Sequence, residues 1–306
     1  MADIALEKFV NEYLLAFPGG EILYNYRLSE HTTMRVGGEA DIAVIPQNAD
    51  MLCFAVKLCV DLGIKYTVIG RGSNIVCRDD GYRGVIIETG KLSAISVNGN
   101  EIYADAGASL NALSKTALDN ALSGVEFAFG IPGSVGGAVY MNAGAYGGQI
   151  ADVLASCTVY DPLDDKKYVY NNSACAYSYR NSVFMHKDHL IILSCRFILE
   201  TKNKEDISAV MNANIAARRS KQPLEYPSSG SFFKRCEGYF TAKLIDDAGL
   251  KGYSVGGAQV SEKHAGFIIN KGSATAADIM ELASHVQTVI NEKFGVEIER
   301  EVEYLG

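Results

Sequence analysis

The chain predicts an α+β protein made of several small layers, and three observations carry that reading. Apolar residues recur at helical spacing in segments towards both ends, beginning with Leu6, Phe9, Val10, Tyr13, Leu14 and Phe17. The middle third instead alternates at strand period, in VLASCTVYD, KKYVY and HLIILSCRFILE. Ahead of those runs lies GIPGSVGGAVYMNAGAYGG, residues 130–148, whose seven glycines leave the main chain free to take positive φ and to approach a ligand closely. The 306 residues give room for two or three domains, and 48% hydrophobic with 21% charged residues is the composition of a folded globular chain.

Totals exclude several classes of function. A net charge of -8 argues against a nucleic-acid surface. Seven cysteines without a C-x-x-C pair indicate neither a disulfide framework nor a thiolate zinc site, so reduced core thiols are expected. The five histidines form no metal-ligand motif; at most His264 borders a bound ligand. The start, MADIALEKFVNEYLL, lacks a leader pattern, and no apolar run approaches the ~18 residues of a membrane span, so no membrane association and a cytoplasmic location are expected.

In chain order, Pro18-Gly19-Gly20 stops the first helix, and strand-like Ala40 to Ile45 follows HTTMRVGG. Residues 49–62 read as an amphipathic helix closed by Gly63, then comes the strand IKYTVIG. AISVNGNEIYADAGA reads as a hairpin turning at Asn98-Gly99-Asn100. Ser109 caps a helix running to about Leu122, and a charged helix spans Glu205 to about Arg219. Beyond RRSKQPLEYPSSGSFFKRC the expectation is a helix over 239–248, short strands over 252–260 and 265–270, a helix from about Thr275 to Phe294, and a final strand in GVEIEREVEYLG. The expected domains are 1–92, 93–206 and 207–306.

Two stretches suit a diphosphate. Gly70-Arg71-Gly72-Ser73-Asn74 follows a strand but lacks the third glycine and following helix of a dinucleotide fingerprint, as well as the Lys-Ser/Thr of a Walker loop. It can still offer amides and two side-chain donors, or be an ordinary turn. The glycine-rich run, almost uncharged, suits a flat dinucleotide such as FAD; close-packing glycines are the alternative. Arg35 reads equally as a phosphate contact or an exposed cation.

HTTMRVGG, VIGRGSN, GIPGSVGGAVYMNAGAYG, YRNSVF, SSGSFFK and EREVEYLG occur in an order and spacing that resemble the UDP-N-acetylenolpyruvoylglucosamine reductase (MurB) family over nearly the whole chain. The resemblance implies a PCMH-type FAD-binding fold of two α/β subdomains plus a smaller α+β substrate-binding domain. It implies non-covalent FAD, NADPH as hydride donor and UDP-N-acetylglucosamine enolpyruvate as acceptor, in a monomer serving peptidoglycan synthesis. It places catalysis on Ser231, Arg180 and Glu301, with Ser231 as proton donor to the reduced carbon and Arg180 on the substrate carboxylate. Cofactor binding falls on Arg35, Gly70, Arg71, Gly72, Ser73, Asn74 and Ile75, and on Gly133, Ser134, Gly136, Gly137, Asn142, Ala143, Gly144 and Ala145. Substrate binding falls on Lys221, Arg218, Tyr179 and Lys234, and either Lys234 or a water is a candidate to polarise Ser231.

Two departures stand out. FMHKDHLII after YRNS is short and lacks the family's loop tyrosine, which marks the second, short-loop type. Arg235 stands where many members have asparagine. Two other classes are weighed against the reductase, a PCMH-type flavin oxidase of an alcohol or sugar and a non-catalytic flavin or nucleotide-sugar binder. The oxidase leaves GSFF and EREVE unexplained.

Overall fold

In the computed structural model, which describes residues 2–306 and their side chains from Ile4 on, the chain forms two compact units. Each is assembled from three segments: one from residues up to 24 with 41–71 and 84–216, the other from 25–40, 72–83 and 217–306.

The first unit opens with α1 (Ala2–Ala16), whose Phe9 and Tyr13 are fully buried as the apolar spacing requires. Strands β1 (Glu21–Arg27) and β2 (Glu39–Ile45) precede α2 (Ala49–Asp61), which Asn48 caps by accepting the Met51 N–H at 3.0 Å. Then follow β3 (Tyr66–Ile69), β4 (Ile75–Cys77) and β5 (Tyr82–Glu88). The first sheet has the order β1-β2-β5-β3, with β3 and β5 parallel, and β4 belongs to the second unit.

The second sheet is antiparallel. β6 (Ile95–Asn98) and β7 (Glu101–Asp105) form the expected hairpin, joined by Gly99-Asn100 with Gly99 at φ 60. α3 (Leu110–Asp119) starts at a Ser109 cap, and β8 (Leu122–Ser123) follows. The expected continuation of that helix to Leu122 fails because Ala121 takes φ 56, after which β8 pairs with a later strand. Next come α4 (Val135–Tyr140), β9 (Gly144–Ala145), β10 (Gly148–Gln149), β11 (Leu154–Asp161), β12 (Lys166–Asn171) and β13 (Ile191–Ile198). The sheet order is β12-β11-β13-β7-β6, with α4 and α3 packing into its core through Val135, Val139, Leu110 and Leu113. β14 (Glu200–Thr201) pairs with β8, and α5 (Lys204–Lys221) follows, its residues from 217 on counted with the second unit.

The second unit holds α6 (Thr241–Asp247), a three-stranded antiparallel sheet of β15 (Ser254–Val255), β16 (Ala258–Val260) and β17 (Ile268–Asn270), α7 (Ala276–Phe294) and β18 (Glu303–Leu305). Its core sets Met34, Val36 and Val76 among Phe232, Phe233, Ile279, Leu282, Val286 and Ile290. That shared burial is why residues 25–40 and 72–83 group with the C-terminal segment, although a boundary at 92 puts them with the first subdomain. The final strand is shorter than expected: only β18 is regular, and it runs parallel to β4. No helix of the described residues is long and apolar enough to cross a membrane.

Candidate active site

The glycine-rich run is not one continuous loop. Its centre is the short helix α4, capped by Ser134, and the amides of Gly136 and Gly137 point to Ala106 O (2.7 Å) and Ser134 Oγ (3.3 Å). Its end is a hairpin of β9 and β10 turned by Tyr146 and Gly147, both at positive φ (51° and 87°), as a type I′ turn requires. Local hydrogen bonding thus claims the amides of Gly136 and Gly137. Several of the glycines are required by packing: a Cβ on Gly70 would sit 2.1 Å from Ser134 Oγ, and one on Gly136 would sit 2.8 Å from Ala106 Cβ. A Cβ on Gly137 would meet only Ser134 Oγ, at 3.3 Å, which leaves that face of α4 open.

The same unit holds Arg180. Its turn is fastened to the glycine-rich run, with Nη1 donating to Asn142 O (3.4 Å) and Nη2 to Gly144 O (3.0 Å). Asn142, 1% exposed, spends its side chain on Ser178 O, Gln149 Oε1 and the Ala151 N–H. Ala143 is buried and Ala145 lies in β9, whereas Tyr179 is exposed with its ring 5.3 Å from the Arg180 guanidinium carbon. Gly133 accepts the Leu110 N–H through its carbonyl, and Arg71 is exposed.

In the second unit three motifs far apart in sequence converge. Phe233 pairs with Arg300 in an irregular antiparallel bridge, flanked by Glu301 N–H to Phe232 O and Lys234 N–H to Glu299 O, both 2.9 Å. Asn74 Nδ2 donates to Glu301 O at 3.0 Å, Glu303 N–H returns to Asn74 O at 3.0 Å, and Ser229 Oγ reaches Ile75 O at 3.3 Å. The SNI end of the GRGSN loop, SSGSFF and EREVE thus form one cluster. Ser231 is exposed at its edge while Phe232 behind it is 1% exposed. Lys234 Nζ is engaged with Glu299 Oε2 at 3.0 Å, which leaves its candidate role of polarising Ser231 without geometric support.

Arg35 is exposed in the left-handed conformation (φ 56), and its carbonyl and that of Met34 accept from the buried Asn270 side chain. At the end of α5, Lys221 reaches solvent, whereas Arg218 is 8% exposed and donates to Gln222 Oε1 at 3.0 Å. His264 is half-buried and accepts the Gly266 N–H at Nδ1 (3.2 Å); burial first, and the nearby Lys251 charge also, hold its pKa below the ordinary value.

Sequence reasoning missed Thr32 and Thr33. Their hydroxyl oxygens are buried without a hydrogen-bond partner among the described residues, in the bend where Thr33 N–H meets Gly72 O at 3.0 Å. Gly72 sits there at φ 58, and a Cβ on it would come 2.4 Å from His31 O. Buried hydroxyls left unmatched are costly, and acceptor oxygens of the kind a dinucleotide's diphosphate and sugar chain carry would satisfy them. The residues present therefore fit FAD. The signal was in the sequence, as two adjacent threonines in HTTMRVGG, but only the fold shows that both are buried.

The first unit carries the glycine helix and the fastened arginine turn, and the second the exposed serine beside an acidic segment; comparison with known proteins gives the class, a flavin-dependent reductase. Residues 40–164 match the FAD binding domain family, and residues 222–305 match the C-terminal domain of UDP-N-acetylenolpyruvoylglucosamine reductase. The UDP-N-acetylenolpyruvoylglucosamine reductase of Listeria welshimeri is 48% identical over 297 residues, covering 97% of this chain and 99% of its own. That of Clostridium perfringens is 47% identical over 286 residues, covering 94% and 93%. The solved structure of the Thermus caldophilus UDP-N-acetylenolpyruvylglucosamine reductase is similar with a TM-score of 0.79 at 32% identity, covering 94% of this chain and 99% of its own. The chain belongs to the UDP-N-acetylenolpyruvoylglucosamine reductase family and carries its FAD-binding fold.

Proposed function

We propose that the protein reduces UDP-N-acetylglucosamine enolpyruvate to UDP-N-acetylmuramate with NADPH, a cytoplasmic step of peptidoglycan precursor synthesis carried out by a monomer. Family membership supports the reaction class. The observation that supports the assignment of roles is the main-chain joining of Phe232, the residue after Ser231, to Glu301, and of Glu301 to Asn74, through Phe232 O and Glu301 O. FAD, held by the residues named below, would supply the two-electron carrier between NADPH and the enolpyruvyl double bond.

The remaining chemistry belongs to the chain. Hydride addition at the terminal carbon leaves carbanion character beside the substrate carboxylate. Arg180, a planar guanidinium with fixed donors, binds that carboxylate and offsets the growing charge. Ser231 gives its hydroxyl proton to the carbon next to the carboxylate; its exposed position leaves the oxygen open to a ligand. Glu301 bears on the same proton inventory, and Lys221, standing clear of its helix end, takes the diphosphate, with Tyr179, Arg218 and Lys234 lining the substrate. Thr32, Thr33, Arg35 and residues 70–75, together with the glycine-rich run, hold FAD.

The test is direct. The purified protein is reduced with NADPH without oxygen, and UDP-N-acetylglucosamine enolpyruvate is then added. Rapid return of the flavin absorbance with formation of UDP-N-acetylmuramate supports the reading; oxygen-dependent turnover of an alcohol, or no bleaching by any donor, overturns it.

A further inference from the structure

Arg180 is held at φ 51 in a turn whose ends, Ser178 and Asn181, exchange both main-chain hydrogen bonds at 3.2 Å. A left-handed arginine is strained and persists only where its surroundings fix it. Those surroundings are a chain of side-chain amides. Asp152 accepts the Gln149 N–H on Oδ2 (3.0 Å) and Gln149 Nε2 on Oδ1 (3.1 Å). An ionised carboxylate only accepts, so Gln149 must turn its amino group to Asp152 and leave Oε1 for Asn142 Nδ2, 3.0 Å away. Asn142, itself at φ 49, is fixed in turn: Nδ2 also donates to Ser178 O (3.0 Å) and Oδ1 accepts the Ala151 N–H (3.0 Å). The opposite orientation of the Asn142 amide would set donor against donor and acceptor against acceptor at Ala151 and Ser178.

We infer that Gln149 and Asp152 are positioning residues for Arg180, acting through Asn142, and that they set the affinity for the carboxylate end of the substrate. The inference rests on the role proposed for Arg180. Asn142 both anchors the start of the arginine turn and, through its carbonyl, receives the guanidinium, so a loosened amide chain misplaces backbone and side chain together.

The polarity of the chain supplies the test. Gln149→Glu sets two carboxylates against each other and keeps the size of the side chain. Adding Asp152→Asn restores the side-chain bond with donor and acceptor exchanged, because the amide then at position 152 donates where Gln149 did. Substrate Kd is measured by calorimetry on the flavin-bound oxidised enzyme, with KM, kcat and the rate of flavin reduction by NADPH alongside. Gln149→Glu is expected to weaken Kd about 10-fold while flavin reduction stays within about 2-fold, and the double variant is expected to recover to within about 3-fold. In an Arg180→Lys background the Gln149→Glu effect is expected to shrink below about 2-fold. An unchanged Kd, an effect that persists in Arg180→Lys, or thermal stability recovered by the double variant without affinity overturns the inference. A wild-type enzyme that binds and turns over no enolpyruvyl substrate overturns the parent reading, and this inference with it.

Discussion

Ser231 is exposed, one residue from a buried phenylalanine whose carbonyl holds Glu301, so its replacement removes a hydroxyl and little packing. Ser231→Ala is expected to leave NADPH reduction of the flavin within about 2-fold and to slow reoxidation by substrate about 10²–10⁴-fold, the range of a lost general acid. Stopped-flow measurement of each half-reaction checks this, and equal losses in both would remove the serine from the protonation step. His264 allows a second residue-scale test. Its folded pKa lies below the ordinary 6.5, so the unfolded chain binds the extra proton first and stability falls as pH drops through 6.5. Wild type is expected to lose more melting temperature between pH 8 and pH 5.5 than His264→Asn; parallel losses would show that His264 is not the responsive group. The roles proposed for Ser231, Arg180 and Glu301 come from family motifs, which residue types and spacing carry. Spacing does not encode burial, so Thr32 and Thr33, and the engagement of Lys234 with Glu299, had to be read from the fold.

Helix α7 shows what an element's sequence does and does not disclose. Thr275 accepts the Asp278 N–H at 3.0 Å and Asp278 accepts the Thr275 N–H at 3.0 Å, a local capping box that keeps the Asp278 pKa low chiefly through that backbone bond. The expected start at about Thr275 falls on this cap, and the helix proper begins at Ala276. The remaining cap comes from far away: Asp79 takes the Ala276 and Ala277 N–H groups at 2.7 and 2.9 Å. No window of sequence around residue 275 contains that contact. Asp79→Ala is expected to destabilise the protein by about 1–2 kcal/mol, the worth of a lost cap plus a charge at the helix N-terminus, with Asp79→Asn intermediate. Urea midpoints check the order, and an unchanged midpoint in Asp79→Ala would mean the box alone suffices. The same distinction explains the errors in element ends. Of the final strand expected in GVEIEREVEYLG, residues 299–301 pair irregularly with 232–234, and only Glu303–Leu305 form β18.

At the scale of the molecule, linear boundaries were the least legible feature, because a unit assembled from three segments leaves no composition shift where the chain crosses. Met34, Val36 and Val76 look like any core residues until their neighbours prove to be Phe232 and Ile279. What composition did disclose is the state of the thiols. Cys53, Cys59, Cys77, Cys157, Cys175 and Cys195 are buried, and Cys236 alone of the seven is partly exposed. Burial pushes the Cys53 thiol up to about 11 and that of Cys77 to about 12, and raises Cys59 and Cys195 as well. The thiolate is the reactive species, so such groups are protected twice, by lack of access and by a deficit of the ionised form. A maleimide or disulfide reagent at neutral pH is expected to label one thiol per folded chain rapidly, and none in Cys236→Ser, with the remainder reacting only at the rate of opening or after addition of denaturant. Intact-mass spectra over time read the stoichiometry. Fast labelling of two or more sites in the folded chain would mean that one of the buried strands or helices opens far more readily than its packing implies.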